Sequence, residues 1–349
     1  MAKWSILITG ATGFIGKYVL KKLMGSPTYN LILLVRDPVK LEKIVGKEFL
    51  KNLKIIQGDL LKDVKLIEKQ IESINPYIKI VINLVGGGPL TINYNKEKQI
   101  MDLNLSTLKN LIRILAKLDK FNQIELFLHF SSLAAVGTLS PVVKYSESTI
   151  CNPVLPYERA KYLSEIYLRK VANRYKQTKF VILRLPQVYG LESKEFITLI
   201  ELIKKGLFPL IPNKFGTLPL IYVNEVANIV RHIINNYKVI LCDKLRGNFK
   251  IFLVCERAYP YINIINIVKE TFGKGGFIPV PYKLMYLLTF LIENIFKLLN
   301  KDEPFNIYRL RSFCRIRIVK DNFSETFNYQ YKYNLNIFLK ILEKCNKTI

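Results

Sequence analysis

Three glycines carry the first chemical signal. The stretch Thr9-Gly10-Ala11-Thr12-Gly13-Phe14-Ile15-Gly16 follows the apolar run Trp4-Ser5-Ile6-Leu7-Ile8 and precedes Lys17-Tyr18-Val19-Leu20-Lys21-Lys22-Leu23. The first run suits a strand, and Val19, Leu20 and Leu23 share one face of a helix. Strand, glycine turn and helix, in that order, form a cradle for the pyrophosphate of a dinucleotide. Gly10 lets the chain turn sharply. Gly13 lets pyrophosphate approach the backbone, and Gly16 lets the helix pack close to the sheet. The free N–H groups of the helix N-terminus then point at the anion. Further along, Ser131-Ser132 ends an apolar run, and Tyr157 and Lys161 stand four residues apart in Pro156-Tyr157-Glu158-Arg159-Ala160-Lys161-Tyr162-Leu163-Ser164-Glu165. On a helix that spacing puts phenol and ammonium on one face. Such a pair is common on helix surfaces. Its place after a hydroxyl-bearing strand end singles it out.

The elements that must position these groups alternate strand and helix. That pattern predicts an α/β fold, a Rossmann-type doubly wound parallel sheet with a smaller C-terminal substrate-binding lobe. The second strand, Leu31 to Val35, ends at Arg36-Asp37-Pro38, twenty residues beyond Gly16, where a dinucleotide fold reads the ribose. Arg36 offers a planar, permanently charged fork suited to a 2′-phosphate. Asp37 could still reach a ribose hydroxyl. The balance favours NADP over NAD. A third strand, Leu53 to Gln57, ends at Gly58-Asp59-Leu60, and a fourth, Ile78 to Leu84, runs out through Asn83-Leu84-Val85-Gly86-Gly87-Gly88. Asp59 could bind the adenine amino group, and the glycines after Val85 could let the backbone touch cofactor ribose. A helix from Lys96 to Lys117 turns Leu103, Leu108, Leu111, Ile112 and Leu115 to one face; Asn104 lies within it, polar, as a solvent-facing residue would be. The fifth strand, Ile124 to Phe130, contains His129, which reads as packed rather than catalytic.

With these pieces in order, the chain resembles the extended short-chain dehydrogenase/reductase family, also called the NAD-dependent epimerase/dehydratase family. The likeness rests on Thr9–Gly16, Gly58-Asp59-Leu60, Asn83 to Gly86, Asn104, Ser132 and Tyr157-x-x-x-Lys161. It continues through Leu183-Arg184-Leu185-Pro186-Gln187-Val188-Tyr189-Gly190 and Leu220-Ile221-Tyr222-Val223-Asn224-Glu225-Val226-Ala227, covering about residues 4 to 235. Asn83 and Val85 depart from the family's usual His and Ala, and Ala135-Val136-Gly137 stands where many members have Val-Tyr-Gly. The tail, Asp302 to Asn336, is similar to the end of steroid- and flavonol-type reductases.

The resemblance implies a dinucleotide-binding domain over 1–190, with segments near 219–256 returning to it, and a substrate lobe over 191–349. It implies cofactor contacts from Gly10, Thr12, Gly13, Phe14, Ile15, Gly16, Arg36, Asp59, Leu60, Asn83, Leu84, Val85, Tyr157, Lys161, Pro186 and Val188. It also implies that Tyr157 is the general acid/base, Ser132 hydrogen-bonds the reacting oxygen, Lys161 holds the nicotinamide ribose, and Asn104 serves a proton relay or supports Lys161. A tyrosine ionises near pH ~10, so a base working near neutrality needs a lower value. The charge of Lys161, one turn away, is expected to lower it. The expected reaction is hydride transfer between NADP or NAD and a hydroxyl/carbonyl carbon of a small, hydrophobic substrate. The alternative is epimerisation of a nucleotide sugar with recycled NAD. Less favoured is a non-catalytic scaffold subunit. Dehydration is disfavoured, because Leu133-Ala134 follows Ser132 where dehydratases of the family place an Asp-Glu pair.

Composition bounds the setting. The chain has 349 residues, 50% of them hydrophobic, and a net charge of +26 from 53 Lys and Arg against 27 Asp and Glu. Such a charge favours anionic partners. The lysines are spread along the chain without a basic helix or aromatic-interleaved module, so nucleic acid is not expected. Five scattered cysteines match no metal spacing and suit reduced thiols of a cytoplasmic protein. With a strand starting by Trp4, no signal peptide is expected. The apolar stretch from Pro279 to Asn300 is interrupted by Glu293 and Lys297, too short to span a membrane. It reads as a helix packed on the substrate lobe or as a peripheral membrane contact. A homodimer is a family expectation.

Overall fold

Apolar runs of branched residues buried on both faces are what a parallel sheet covered by helices requires. The computed structural model describes residues 4–51, 53–88, 96–137, 142–212, 216–242, 247–299 and 305–347. Its strands, in chain order, are β1 (Trp4–Thr9), β2 (Tyr29–Val35), β3 (Lys54–Gln57), β4 (Ile78–Asn83), β5 (Leu126–Ser132), β6 (Val142–Tyr145), β7 (Lys179–Leu185), β8 (Gln187–Tyr189), β9 (Phe208–Leu210), β10 (Thr217–Tyr222), β11 (Phe249–Leu253), β12 (Arg257–Pro260), β13 (Phe277–Pro279) and β14 (Ile316–Val319). Seven form one sheet in the order β11-β7-β5-β4-β1-β2-β3, with every pairing parallel. Strand order reverses between β1 and β4. The chain leaves their carboxyl ends in opposite directions there, which opens a crevice.

Alternate side chains serve opposite faces. Ile6, Ile8, Leu33 and Ile82 pack with Val19, Leu20 and Leu23 of the helix Phe14–Leu23, and with Val226 and Val230 of the helix Val223–Cys242. Leu7, Ile32, Val81 and Phe127 pack on the other face with Ile67, Leu111 and Leu168, from the helices Val64–Ile74, Thr107–Lys117 and Pro156–Arg174. Strand β5 starts later than expected and runs on through Ser131 and Ser132. Strand β11 lies beside β7 at one edge of the sheet.

One helix differs from the sequence expectation. The one expected over 96–117 is broken: helices Glu97–Met101 and Thr107–Lys117 flank a π-turn, Asp102–Ser106. The wider turn brings Asn104 inward to 1% exposure, so it does not face solvent. Such turns recur at functional sites. The stretch expected over 279–300 forms the helix Tyr282–Leu298, of which only Thr289 is buried; Asn300 lies outside the described residues. One side of it rests on the helix Ile307–Phe313, as expected of a helix packed on the lobe, while most of its apolar side chains are exposed.

A smaller lobe grows directly from β7 through β8, in the sheet β12-β10-β8. Its core joins Tyr189, Phe196, Ile200 and Ile264 to Phe338 and Leu339 of the C-terminal helix. Among the described residues, no helix is long and apolar enough to cross a membrane, and no cluster of side chains is arranged to hold a metal ion.

Candidate active site

The glycine turn separates what the fold needs from what a ligand needs. Gly10 has φ +76°, and a Cβ there would lie 2.8 Å from the Leu84 carbonyl carbon. A Cβ on Gly16 would lie 2.1 Å from the Gly10 oxygen. The protein itself therefore demands both. A Cβ on Gly13 would meet only the Gly10 oxygen, at 3.3 Å, and Gly13 is exposed at the N-terminus of the helix Phe14–Leu23. That leaves open space above Gly13 at a helix N-terminus, as an anion would need. Thr12 and Phe14 flank it, and Ile15 lines a cavity described below.

At the end of β2, the Arg36 side chain is 72% exposed, with Nη1 3.6 Å from Oδ2 of Asp59. Asp59 Oδ1 accepts from the Leu61 N–H at 2.8 Å. Asp37, the rival reader of the ribose, caps the helix Pro38–Val45 and accepts from the Lys40 N–H at 3.0 Å. Leu60 is buried, and its carbonyl accepts from Asn110 at 2.7 Å. Asn83 joins a buried polar row across the strand ends. Its Oδ1 accepts from Thr9 Oγ1 at 2.6 Å, and its Nδ2 pairs with His129 Nδ1 at 3.1 Å. Its side chain works inside the sheet; Leu84 lines the smaller cavity described below, and Val85 packs against the core. Burial, with the nearby Lys161 charge, holds the His129 imidazole well below its ordinary pKa. It is packed and neutral, as expected.

Ser132, Tyr157, Lys161 and Asn104 come together where β5 meets the helix Pro156–Arg174. Ser132 Oγ accepts from the Ala134 N–H at 3.1 Å, so its own proton is free to turn outward. The Ser132 hydroxyl and the Tyr157 phenol face the same cavities. Lys161 is 5% exposed; its Nζ donates to the Phe130 carbonyl at 3.0 Å and lies 5.9 Å from the Tyr157 ring centroid. Burial lowers its pKa to about 8, against the opposing charge of Glu165. Burial raises Tyr157, with the Ser132 hydroxyl opposing. The expected lowering of Tyr157 by Lys161 is thus not found in the protein alone, because the ammonium is aimed at a backbone carbonyl beside the ring. Asn104 donates to the Gly87 carbonyl at 2.7 Å and accepts from the Gly87 N–H at 3.0 Å. Gly86 has φ +145°, and a Cβ there would lie 2.7 Å from both Asn104 Oδ1 and Lys161 Nζ. Asn104 therefore fixes the glycine loop against the lysine.

Two cavities meet at this cluster. The smaller, about 240 Å³, is lined by Ile15, Leu84, Gly86, Gly87, Lys161 and Val188 among others. The larger, about 430 Å³, is lined by Leu133, Ala134, Gln187, Tyr308, Arg309 and Arg317 among others. Ser132, Tyr157, Leu185 and Pro186 belong to both.

Sequence reading missed the support behind the cluster. Glu165, one turn beyond Lys161, is buried in a two-point ion pair with Arg184, at 3.0 and 2.7 Å. It also accepts from Ser131 Oγ at 2.5 Å. The Lys161-x-x-x-Glu165 spacing was the available signal. The other omission, Arg309 and Arg317, comes from a distant stretch that no local pattern links to β5.

A family model described as the NAD dependent epimerase/dehydratase family matches residues 6–244. A protein described as a putative UDP-glucose 4-epimerase from Methanocaldococcus jannaschii is 28% identical over 234 residues, 64% of this chain and 70% of that one. The UDP-Glc/GlcNAc 4-epimerase of Campylobacter jejuni superposes with a TM-score of 0.71 at 16% identity, over 99% of this chain and 100% of that one. The UDP-glucose 4-epimerase of Thermotoga maritima, solved with UDP-glucose, gives 0.68 at 20% identity, over 99% of each chain. The match over two thirds of the chain, on a sheet whose reversal point carries the glycine turn, places it: this chain belongs to the NAD-dependent epimerase/dehydratase family, enzymes of the extended short-chain dehydrogenase/reductase type that work with a nicotinamide cofactor.

Proposed function

We propose that this protein moves a hydride between a nicotinamide dinucleotide and a hydroxyl or carbonyl carbon of a small molecule, with Tyr157 as the general acid/base. The observation that carries this is the sharing of Ser132 and Tyr157 by two adjoining cavities. One cavity leads back to the glycine turn and suits the cofactor; the other suits a substrate. The bound nicotinamide supplies or accepts the hydride. Ser132 offers its proton to the reacting oxygen and steadies the charge that develops there. Tyr157 gives that oxygen a proton in reduction and removes it in oxidation. Lys161 holds the nicotinamide ribose through its ammonium. Asn104 acts through Lys161 and the glycine loop. Leu133 and Ala134 carry no proton into the cavity at the place where dehydratases of the family have an Asp-Glu pair, which disfavours water elimination.

Exposed Arg36 at the end of β2, beside an Asp37 already engaged as a cap, supports NADP over NAD. The 1–190 region with its returning segments is the dinucleotide-binding unit, and the remainder is the substrate lobe. A homodimer is part of the same reading.

A second reading, epimerisation of a nucleotide sugar with the cofactor recycled, has its own support. Arg309 and Arg317 line the substrate cavity, and the hydrogen-bond partners of the Arg317 guanidinium are neutral: the Thr217 and Ser312 carbonyls, at 2.7 and 2.6 Å, and the Ser312 hydroxyl. A cation held by neutral partners in a cavity suits a phosphate. Mass spectrometry of small molecules released from the purified protein separates the readings. An open site that takes up NADPH is expected for net reduction. Retained NAD with a nucleotide sugar would turn the choice to epimerisation. Cofactor binding without turnover on any hydroxyl or carbonyl substrate would turn it to a scaffold.

A further inference from the structure

The helix Tyr282–Leu298 is built inside out for a globular protein. Leu284, Leu287, Leu288, Leu291, Ile295 and Leu298 recur at three- and four-residue spacing, which puts them on one face. That face is exposed, with Leu287 at 53% and Leu291 at 47%. The opposite side carries the helix's buried residue, Thr289, and Glu293, which accepts from the Ile307 N–H at 3.0 Å and ties the helix to Ile307–Phe313. Phe277 and Ile278 of β13, just before the helix, are also exposed. Isolated exposed leucines are ordinary. A continuous apolar face with exposed Phe277 and Ile278 before it is not.

Charge says what covers this face. From Lys274 to Leu299 the basic residues are Lys274, Lys283 and Lys297, all exposed, and the one acid is Glu293, on the protein side. Exposed Arg311 follows on the adjoining helix, and the whole chain carries +26. An apolar stripe flanked by lysines, on a helix too short to span, suits the interface of an anionic bilayer. We infer that the helix Tyr282–Leu298 seats this protein on an anionic membrane surface, with its leucine face in the headgroup–acyl boundary. The helix it rests on, Ile307–Phe313, supplies Tyr308, Arg309, Ser312 and Phe313 to the wall of the larger cavity. Seating thus brings that wall close to the lipid surface.

The test is flotation of the full chain with vesicles of phosphatidylcholine alone or with one quarter phosphatidylglycerol. Wild type should float with the anionic vesicles and less so at high salt, since screening weakens the lysine contribution. Leu287→Gln with Leu291→Gln should lower the partition coefficient by about tenfold or more, with the melting temperature kept, because both side chains are exposed and Gln is a good helix former. Lys283→Gln with Lys297→Gln should mainly remove the preference for anionic lipid. Tyr157→Phe should float like wild type, which separates seating from catalysis. No flotation of wild type, or undiminished flotation of the double Leu variant, overturns the proposal. So does a stable dimer that the Leu variant converts to monomer, since a second copy would then cover the face.

Discussion

At the scale of single residues, the site is a contest between burial and charge. Burial pushes Tyr157 up and pulls Lys161 down to about 8, so neither ionises for free. In the reductive direction Tyr157 must hold its proton and Lys161 its charge. Turnover should be level from about pH 6 to 7 and fall through about pH 8, as Lys161 loses its proton. Tyr157→Phe should lower turnover by about 10²–10⁴-fold and leave cofactor affinity intact. Lys161→Met should lower both and lose the limb near pH 8. Rates against pH for the three proteins, with cofactor affinity measured apart, decide it. A fully active Tyr157→Phe would end the mechanism. Arg36 permits a narrower test. Arg36→Ala should cost about ten- to a hundred-fold in NADP affinity and little in NAD affinity, the worth of one charge-assisted bond. Equal losses by calorimetry would refute its reading of the 2′-phosphate.

At the scale of elements, the glycine turn, the strand ends and the Tyr157–Lys161 spacing were legible because each lies within one short stretch. The π-turn at Asn104, the Glu165–Arg184 pair and the arginines of the cavity were not. Each depends on which strand lies beside which, a long-range fact that local periodicity does not carry. Asn104 shows this best: its helix reads as continuous, and only the packing of 86–88 against Lys161 gives its amide two partners. The turn after β1 yields a paired prediction. Gly16→Ala forces a Cβ against backbone that cannot swing away, and overpacking of that kind costs about 1–3 kcal/mol or more. Gly13→Val meets far less protein. It should melt near the wild-type temperature yet bind the cofactor at least about tenfold more weakly. Thermal melts beside calorimetry test the pair, and undiminished binding by a folded Gly13→Val would remove the pyrophosphate from this turn.

At the scale of the molecule, sheet, lobe and C-terminal tail are joined by two glutamates, Glu225 buried and Glu256 half-buried. Glu225 accepts from the Tyr329 hydroxyl and from the Lys332 and Tyr333 N–H groups. Glu256, just after β11, accepts from the Tyr189 and Tyr259 hydroxyls and from the Tyr222 and Leu335 N–H groups, at 2.9 to 3.1 Å. Those four donors favour the charged carboxylate, but burial outweighs them and raises its pKa to about 7. The sign for stability follows from linkage. The folded protein keeps a proton that the unfolded chain gives up near its ordinary 4.5. This contribution is full below that value, declines as pH rises, and is gone above about 7; it amounts to at most about 3 kcal/mol. Glu256→Gln removes the titration. It also presents an NH₂ group to donors that need an acceptor, at a cost of about 1–3 kcal/mol at pH 8. Urea midpoints for wild type and Glu256→Gln at pH 5, 6, 7 and 8 test this. The gap between them should be widest at pH 5 and narrow toward pH 8, while NADP affinity at pH 8 is unchanged. Parallel curves would mean that Glu256 stays ionised throughout and that its donors, not its burial, set its charge.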